Sequence, residues 1–233
     1  MRFRTALRLL VVPALVLALA CDDKSTDPDP PVVPEQPEDV ITRLIWAYEN
    51  QRLAEYEALF TGDFTFEFSN SADPTLANQW STGWFKSDEG LAARHLFEGG
   101  VNLEGKTLPA ASSIDLIFTK TVPVADTEGR DSTRYRVLST PVEAVVVVLP
   151  ESTGAEPTYH LVTHNSHRFY LVRGDAADGL TPSQPADSLH WYIWAWRDES
   201  VGFRAPAGRG AATAAVPTPT LPTTWGALKG VYR

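Results

Sequence analysis

Apolar residues recur at helical spacing early in the chain and at strand spacing later. Val40, Ile41, Leu44, Ile45 and Tyr48 return every three or four residues, and Pro37-Glu38-Asp39 ahead of them suits a first helical turn. Asn50-Gln51 interrupts that stripe. Leu53, Tyr56, Leu59 and Phe60 predict a short second helix, stopped by Gly62. Phe64, Phe66 and Phe68 alternate with Thr65 and Glu67, which predicts a strand. Residues 70–87 read as a polar loop carrying Trp80, Trp84 and Phe85. A third helix follows, with Ser87 as N-cap, Leu91, Ala92, His95, Leu96 and Phe97 at helical spacing, and Gly99-Gly100 as its end.

From there the pattern is mostly β. Strands are predicted within residues 113–122, 135–149, 158–173 and 189–198, with Pro141 marking the start of a strand or a bulge. The last stretch, Leu189-His190-Trp191-Tyr192-Ile193-Trp194-Ala195-Trp196-Arg197-Asp198, is the most aromatic in the chain. Strict alternation puts Trp191, Ile193 and Ala195 on one face and Tyr192, Trp194 and Trp196 on the other. Both faces are apolar and both need cover. Helices serve one; a partner subunit, a ligand or the chain's own residues 225–232 serve the other. In that last segment Trp225, Leu228 and Val231 stand three apart, as on one side of a helical turn that docks back onto the domain.

Helices followed by a run of long strands indicate an α+β fold with an antiparallel sheet. The stretches Ile45-Trp46-Ala47-Tyr48, Tyr56 to Phe68 (YEALFTGDFTFEF) and Trp191 to Asp198 resemble the nuclear transport factor 2-like superfamily in its SnoaL-like branch. The resemblance implies a cone: a curved antiparallel sheet wrapped on two to three N-terminal helices, covering about residues 38–199. It also implies where isomerase chemistry would sit. The base of such enzymes falls on Phe68 and their helix-borne tyrosine near Leu44 or Ile45, so neither role is filled at those positions.

The first twenty residues add a second layer. Arg2, Arg4 and Arg8 precede an unbroken apolar run, residues 9–20, too short for the roughly 20 residues that span a bilayer. Ala18-Leu19-Ala20-Cys21 resembles a bacterial lipobox, with Ala18 where leucine is usual. That resemblance implies cleavage before Cys21 and lipidation of it. Cys21 is the sole cysteine, so an internal disulfide is excluded. Residues 21–37 are rich in Pro and Asp and form a tether, with a reach on the order of 50 Å in polyproline-like geometry. The expected organisation is a signal peptide at 1–20, the lipidated tether at 21–37, the folded domain at 38–199, and an irregular loop with a docking segment at 200–233. The expected location is the bacterial cell envelope, lipid-anchored on the extracytoplasmic side of a membrane.

Charge narrows the partners. Without the three leader arginines, 17 basic residues face 29 acidic ones, which argues against nucleic acid. The open partners are the membrane through its lipid anchor, a homodimer through the sheet face, and an apolar small molecule. No cofactor is expected. His160, His164 and His167 lack the converging, carboxylate-supported spacing of a metal site, so no metal is expected. His95, His190 and Glu67 are weak catalytic candidates, each with an ordinary structural alternative: a lone helix histidine, a strand-head histidine and a solvated strand glutamate. Trp46, Trp80, Trp84, Trp191, Trp194 and Trp196 line either a pocket or a core and interface. The reading is a membrane-tethered lipoprotein with a non-enzymatic binding or scaffolding domain. The alternative is a small-molecule enzyme of isomerase or dehydratase type, using a polar residue in the cone.

Overall fold

The computed structural model describes residues 31, 33–148, 158–200 and 220–233. The expected signal peptide, Cys21, most of the expected tether and residues 149–157 and 201–219 lie outside the described residues. The chain opens with helices α1 (Pro37–Glu49) and α2 (Leu53–Glu57), then strand β1 (Phe60–Glu67). Helix α3 (Pro74–Gln79), strand β2 (Trp84–Phe85) and helix α4 (Lys86–Glu98) follow. A small hairpin, β3 (Gly100–Val101) and β4 (Thr107–Leu108), leads into β5 (Ala111–Phe118), β6 (Val122–Val124), β7 (Tyr135–Val148), β8 (Thr158–Arg173) and β9 (Trp191–Asp198). Strand β10 (Thr220–Thr223) and helix α5 (Trp225–Tyr232) complete the described part.

The fold is α+β, with an eight-stranded curved sheet in the order β2-β1-β9-β8-β7-β5. Two long strands carry it. One side of β7 pairs with β5 at residues 142–148 and with β6 at 137–139. One side of β8 pairs with β9 at residues 167–173 and with β10 at 159–162. The sheet is mixed rather than antiparallel: β1 runs parallel to β9, and β10 parallel to β8. Parallel neighbours need long connections, and both pairs join segments distant in sequence, which hairpin logic does not reach.

Local chemistry explains most of the elements, including those that depart from expectation. On α1, Val40, Ile41, Leu44 and Tyr48 of the predicted stripe are buried, Ile45 is half-buried, and Ala47 is buried with them. Asp39 folds back to accept from the Gln36 N–H at 2.9 Å, and Pro37 sits in the first turn. The predicted loop 70–87 contains α3 and β2 instead. Ser87 is not the N-cap of α4; Phe85 is, and its backbone N–H donates to Asp88 Oδ2 at 2.9 Å. Gly62 does not end a helix but lies within β1. Its N–H donates to the Gly179 carbonyl at 2.8 Å, and an added Cβ would stand 2.2 Å from that oxygen.

Strand β9 breaks the predicted alternation. Opposite β8, Ala195 pairs with Tyr170 and Ile193 with the next residue, Leu171, so Trp194 is the extra residue of a bulge. Trp191, Ile193 and Trp196 therefore all join the core around the helices, while Trp194 and Ala195 pack with Val137 and Tyr170 in a separate cluster on the other face. Without the bulge, Trp196 would sit on the wrong side of the sheet.

Helix α5 packs into the core beside α4. Trp225, Leu228 and Tyr232 belong to the core, and Thr224 caps the helix by accepting from Ala227 N–H at 2.9 Å. The expected docking face is shifted: Val231 is exposed, and Lys229 is buried in its stead. Substituting Gly62→Ala should lower stability by about 1–3 kcal/mol, the range for overpacking a site with rigid neighbours. Urea unfolding would show it as a lower midpoint, and an unchanged midpoint would disprove the close backbone contact.

Candidate functional site

Inside the cone the chain assembles a buried polar cluster. Glu89 is 1% exposed on the first turn of α4, facing inward because Gly90, Ala92 and Ala93 let the helix sit close to its neighbours. Its Oε2 accepts from the Trp84 indole N–H at 2.8 Å. Its Oε1 accepts from the Tyr56 hydroxyl, which in turn accepts from Tyr48 at 2.9 Å. The Lys229 ammonium lies 2.6 Å from the same Oε1. That nitrogen also sits 3.6 Å from the centroid of the Trp196 ring and 3.9 Å from that of Phe66. Asp198, at the end of β9, accepts from Ser200 N–H at 2.9 Å and from Gly226 N–H at 3.3 Å, at the start of α5.

Burial sets the electrostatics. Desolvation pushes Lys229 down to about 8, with the Glu89 carboxylate opposing the fall. Desolvation raises Tyr48 and Tyr56 well above the usual phenol range, and the charge of Glu89 adds to both. Burial also raises Asp198. His167 is driven well below the usual histidine range, first by burial and then by the Lys229 charge. Its Nδ1 accepts from the Trp196 indole N–H at 2.9 Å, so its proton is on Nε2, which has no hydrogen-bond partner among the described residues.

Little space remains between these groups. A void of about 10 Å³ lies among Tyr48, Glu89, Ala92, Ala93, Trp225 and Lys229, at the lower limit for one water. Larger hollows lie elsewhere: about 360 Å³ between Trp80, Leu103 and Arg233, and about 200 Å³ around Arg130 and Trp194.

The sequence-predicted residues are dispersed. His95 Nδ1 is 2.8 Å from the Tyr232 carbonyl oxygen, so this histidine fastens α5. His190 pairs with Asp187 at 2.7 Å in the turn before β9. Glu67 is exposed and pairs with Arg197 at 2.7 Å. The tryptophans do not line one pocket. Trp84, Trp191 and Trp196 are buried in the core, Trp46 lies against Arg43, Trp80 lies under Arg233, and Trp194 lies under Arg130 on the opposite sheet face. His160 and His167 belong to β8, the side chain of His164 is outside the described residues, and no metal-holding group of His, Cys, Asp and Glu occurs among the described residues.

Sequence reasoning missed the central groups. Glu89 looks like an ordinary first-turn acid, and Lys229 like a solvated residue near a helix end. Tyr48 was visible as the last member of the α1 stripe, one turn beyond the position where the isomerase comparison looks for a tyrosine.

No protein-family model matches the chain, and no curated protein matches it. Solved structures similar to it include a nuclear transport factor 2-like superfamily protein from Salmonella enterica serovar Typhimurium (11% identity, 74% of this chain and 93% of that one, TM-score 0.40). Another is a nuclear transport factor 2-like protein of unknown function in nutrient uptake from Rhodospirillum rubrum (16%, 70% and 97%, TM-score 0.38). A third, from Streptomyces avermitilis, is a proposed dehydratase of the same family (11%, 72% and 95%, TM-score 0.43). At this level of similarity nothing about chemistry passes from them to this chain.

His167 gives the site a pH signature. Its folded value is depressed, so the stability it contributes is present above the unfolded value near 6.5 and is lost as pH falls below it. The expected loss is about 1.4 kcal/mol per pH unit while the folded imidazole stays neutral. His167→Gln should flatten the stability profile below pH 6.5 relative to the unaltered chain. Parallel profiles in denaturant titrations from pH 7 to 5 would refute the assignment.

Proposed function

We propose that this protein is a cell-envelope lipoprotein, anchored through Cys21 on the extracytoplasmic side of a membrane. Its nuclear transport factor 2-like domain serves binding or scaffolding rather than catalysis. The observation that carries the non-enzymatic part is the filled cone. Helix α5 places Trp225, Leu228 and Lys229 beside Glu89 and Tyr48, and the void among these described residues is about 10 Å³. The Glu89 carboxylate is engaged by Tyr56, Trp84 and Lys229 rather than presented to a ligand in this state. The anchoring part is supported by the apolar leader that ends at the sole cysteine and by the Pro/Asp stretch before α1. Several acyl chains on one cysteine give stable attachment where a single chain gives only reversible binding.

One observation favours the enzymatic alternative: Glu89 and the Tyr48–Tyr56 pair form a connected proton-bearing chain deep in the cone. That chemistry requires room beside these groups, where Trp225, Leu228 and Lys229 of α5 now pack.

Cys21→Ser tests the anchor. The variant should move from the membrane fraction to the soluble fraction with the circular dichroism of the domain unchanged. Continued membrane association of that variant would overturn the lipid assignment.

A further inference from the structure

We propose that the interior of the cone is a binding site for a primary alkylammonium group, and that Lys229 is the occupant which the chain supplies to itself. The carboxylate, the two ring faces and the donors to the carboxylate come from elements other than α5. Glu89 belongs to α4, Phe66 to β1, Trp84 to β2, Trp196 to β9 and Tyr56 to α2. A cation flanked by two ring faces and a desolvated carboxylate is the arrangement that recognises ammonium ligands. The geometry also selects among cations. Each Glu89 oxygen already accepts one protein donor, Oε2 the Trp84 indole N–H and Oε1 the Tyr56 hydroxyl, and the charge sits beside Oε1 alone. A guanidinium fork needs both oxygens of a carboxylate in its plane; a compact ammonium needs one. The Tyr48 to Tyr56 to Glu89 chain keeps Oε1 aimed at the cation without help from α5. Ala92 and Ala93 line the small void beside Lys229.

A lysine burying its charge at a helix position is costly unless the receiving site is made for it. The ion pair, the two ring faces and the aligned donors to Glu89 meet that condition. What α5 brings is the cation and an apolar lid of Trp225, Leu228 and Tyr232. A ligand amine arriving from solution would replace the first and displace the second.

This inference rests on the domain being a binding module and names the ligand class of its interior; the anchor is tested separately by Cys21→Ser, so the two readings fail independently. The experiment uses the full chain carrying Lys229→Ala, titrated with n-propylammonium, the fragment that the substitution removes. The melting temperature should fall on substitution and be restored saturably by n-propylammonium. It should not be restored by n-propanol, and ethylguanidinium should act at least about tenfold more weakly, as expected for a misfitted charged hydrogen bond. Adding Glu89→Gln to Lys229→Ala should abolish the amine effect. Equal restoration by the alcohol, or no saturable restoration, would overturn the proposal. If Lys229→Ala does not fold alone, recovery of folding by n-propylammonium supports the site, and recovery by neither compound overturns it. In the unaltered chain, n-butylammonium should change the near-ultraviolet circular dichroism of the stacked Trp196 and Trp225 rings saturably; no change there would overturn exchange with Lys229.

Discussion

The structure depends on one buried ion pair, between Glu89 and Lys229. Both side chains are almost fully removed from water, 1% and 5% exposed, and each is tolerable only because the other is present. Loss of one partner from such a pair leaves an uncompensated charge in the core, at a typical cost of about 3–5 kcal/mol. The pair also joins parts of the chain that no local rule connects, the first turn of α4 and the last turns of α5. Around it the aromatic core supplies ring faces and hydrogen-bond donors. Phe66 and Trp196 offer ring faces, Trp84 and Tyr56 offer donors, and His167 stays neutral behind Trp196.

The sheet is shaped to serve that interior. One side of β8 is shared between β9 and β10, and α5 begins directly after β10. The bulge at Trp194 turns Trp196 inward, where it meets both Lys229 and Trp225, and turns Trp194 outward beneath Arg130, 4.5 Å from its ring. The aromatic strand thus contributes to two faces at once. Around the ion pair α5 adds a second tier of polar fastenings: Thr224 to Asp73, His95 to the Tyr232 carbonyl, and Arg233 to Asp88 over the Trp80 ring.

Much of the architecture is readable from residue patterns, because burial of apolar stripes is a local demand. The stripe of α1, the apolar face of α4 with Ala92, Leu96 and Phe97, and the long strands around Val142 and Phe169 all follow from periodicity. Errors gather where a contact distant in sequence overrides a local signal. Gly62 reads as a helix stop but is a glycine because Gly179 leaves no room for a Cβ. Ser87 reads as a cap, yet Asp88 does the capping of Phe85. Val231 fits the apolar spacing of α5, but the helix is rotated so that Lys229 points inward and Val231 outward.

The sequence by itself determined the α+β class, the principal helices and long strands, and the aromatic core. Tertiary structure alone decided which faces meet and which charges are buried. Periodicity records the apolar residues each element must hide, whereas a buried charge is permitted only by its partner. Glu89 and Lys229 lie far apart in the chain, so neither reveals its role until the fold brings them within 2.6 Å.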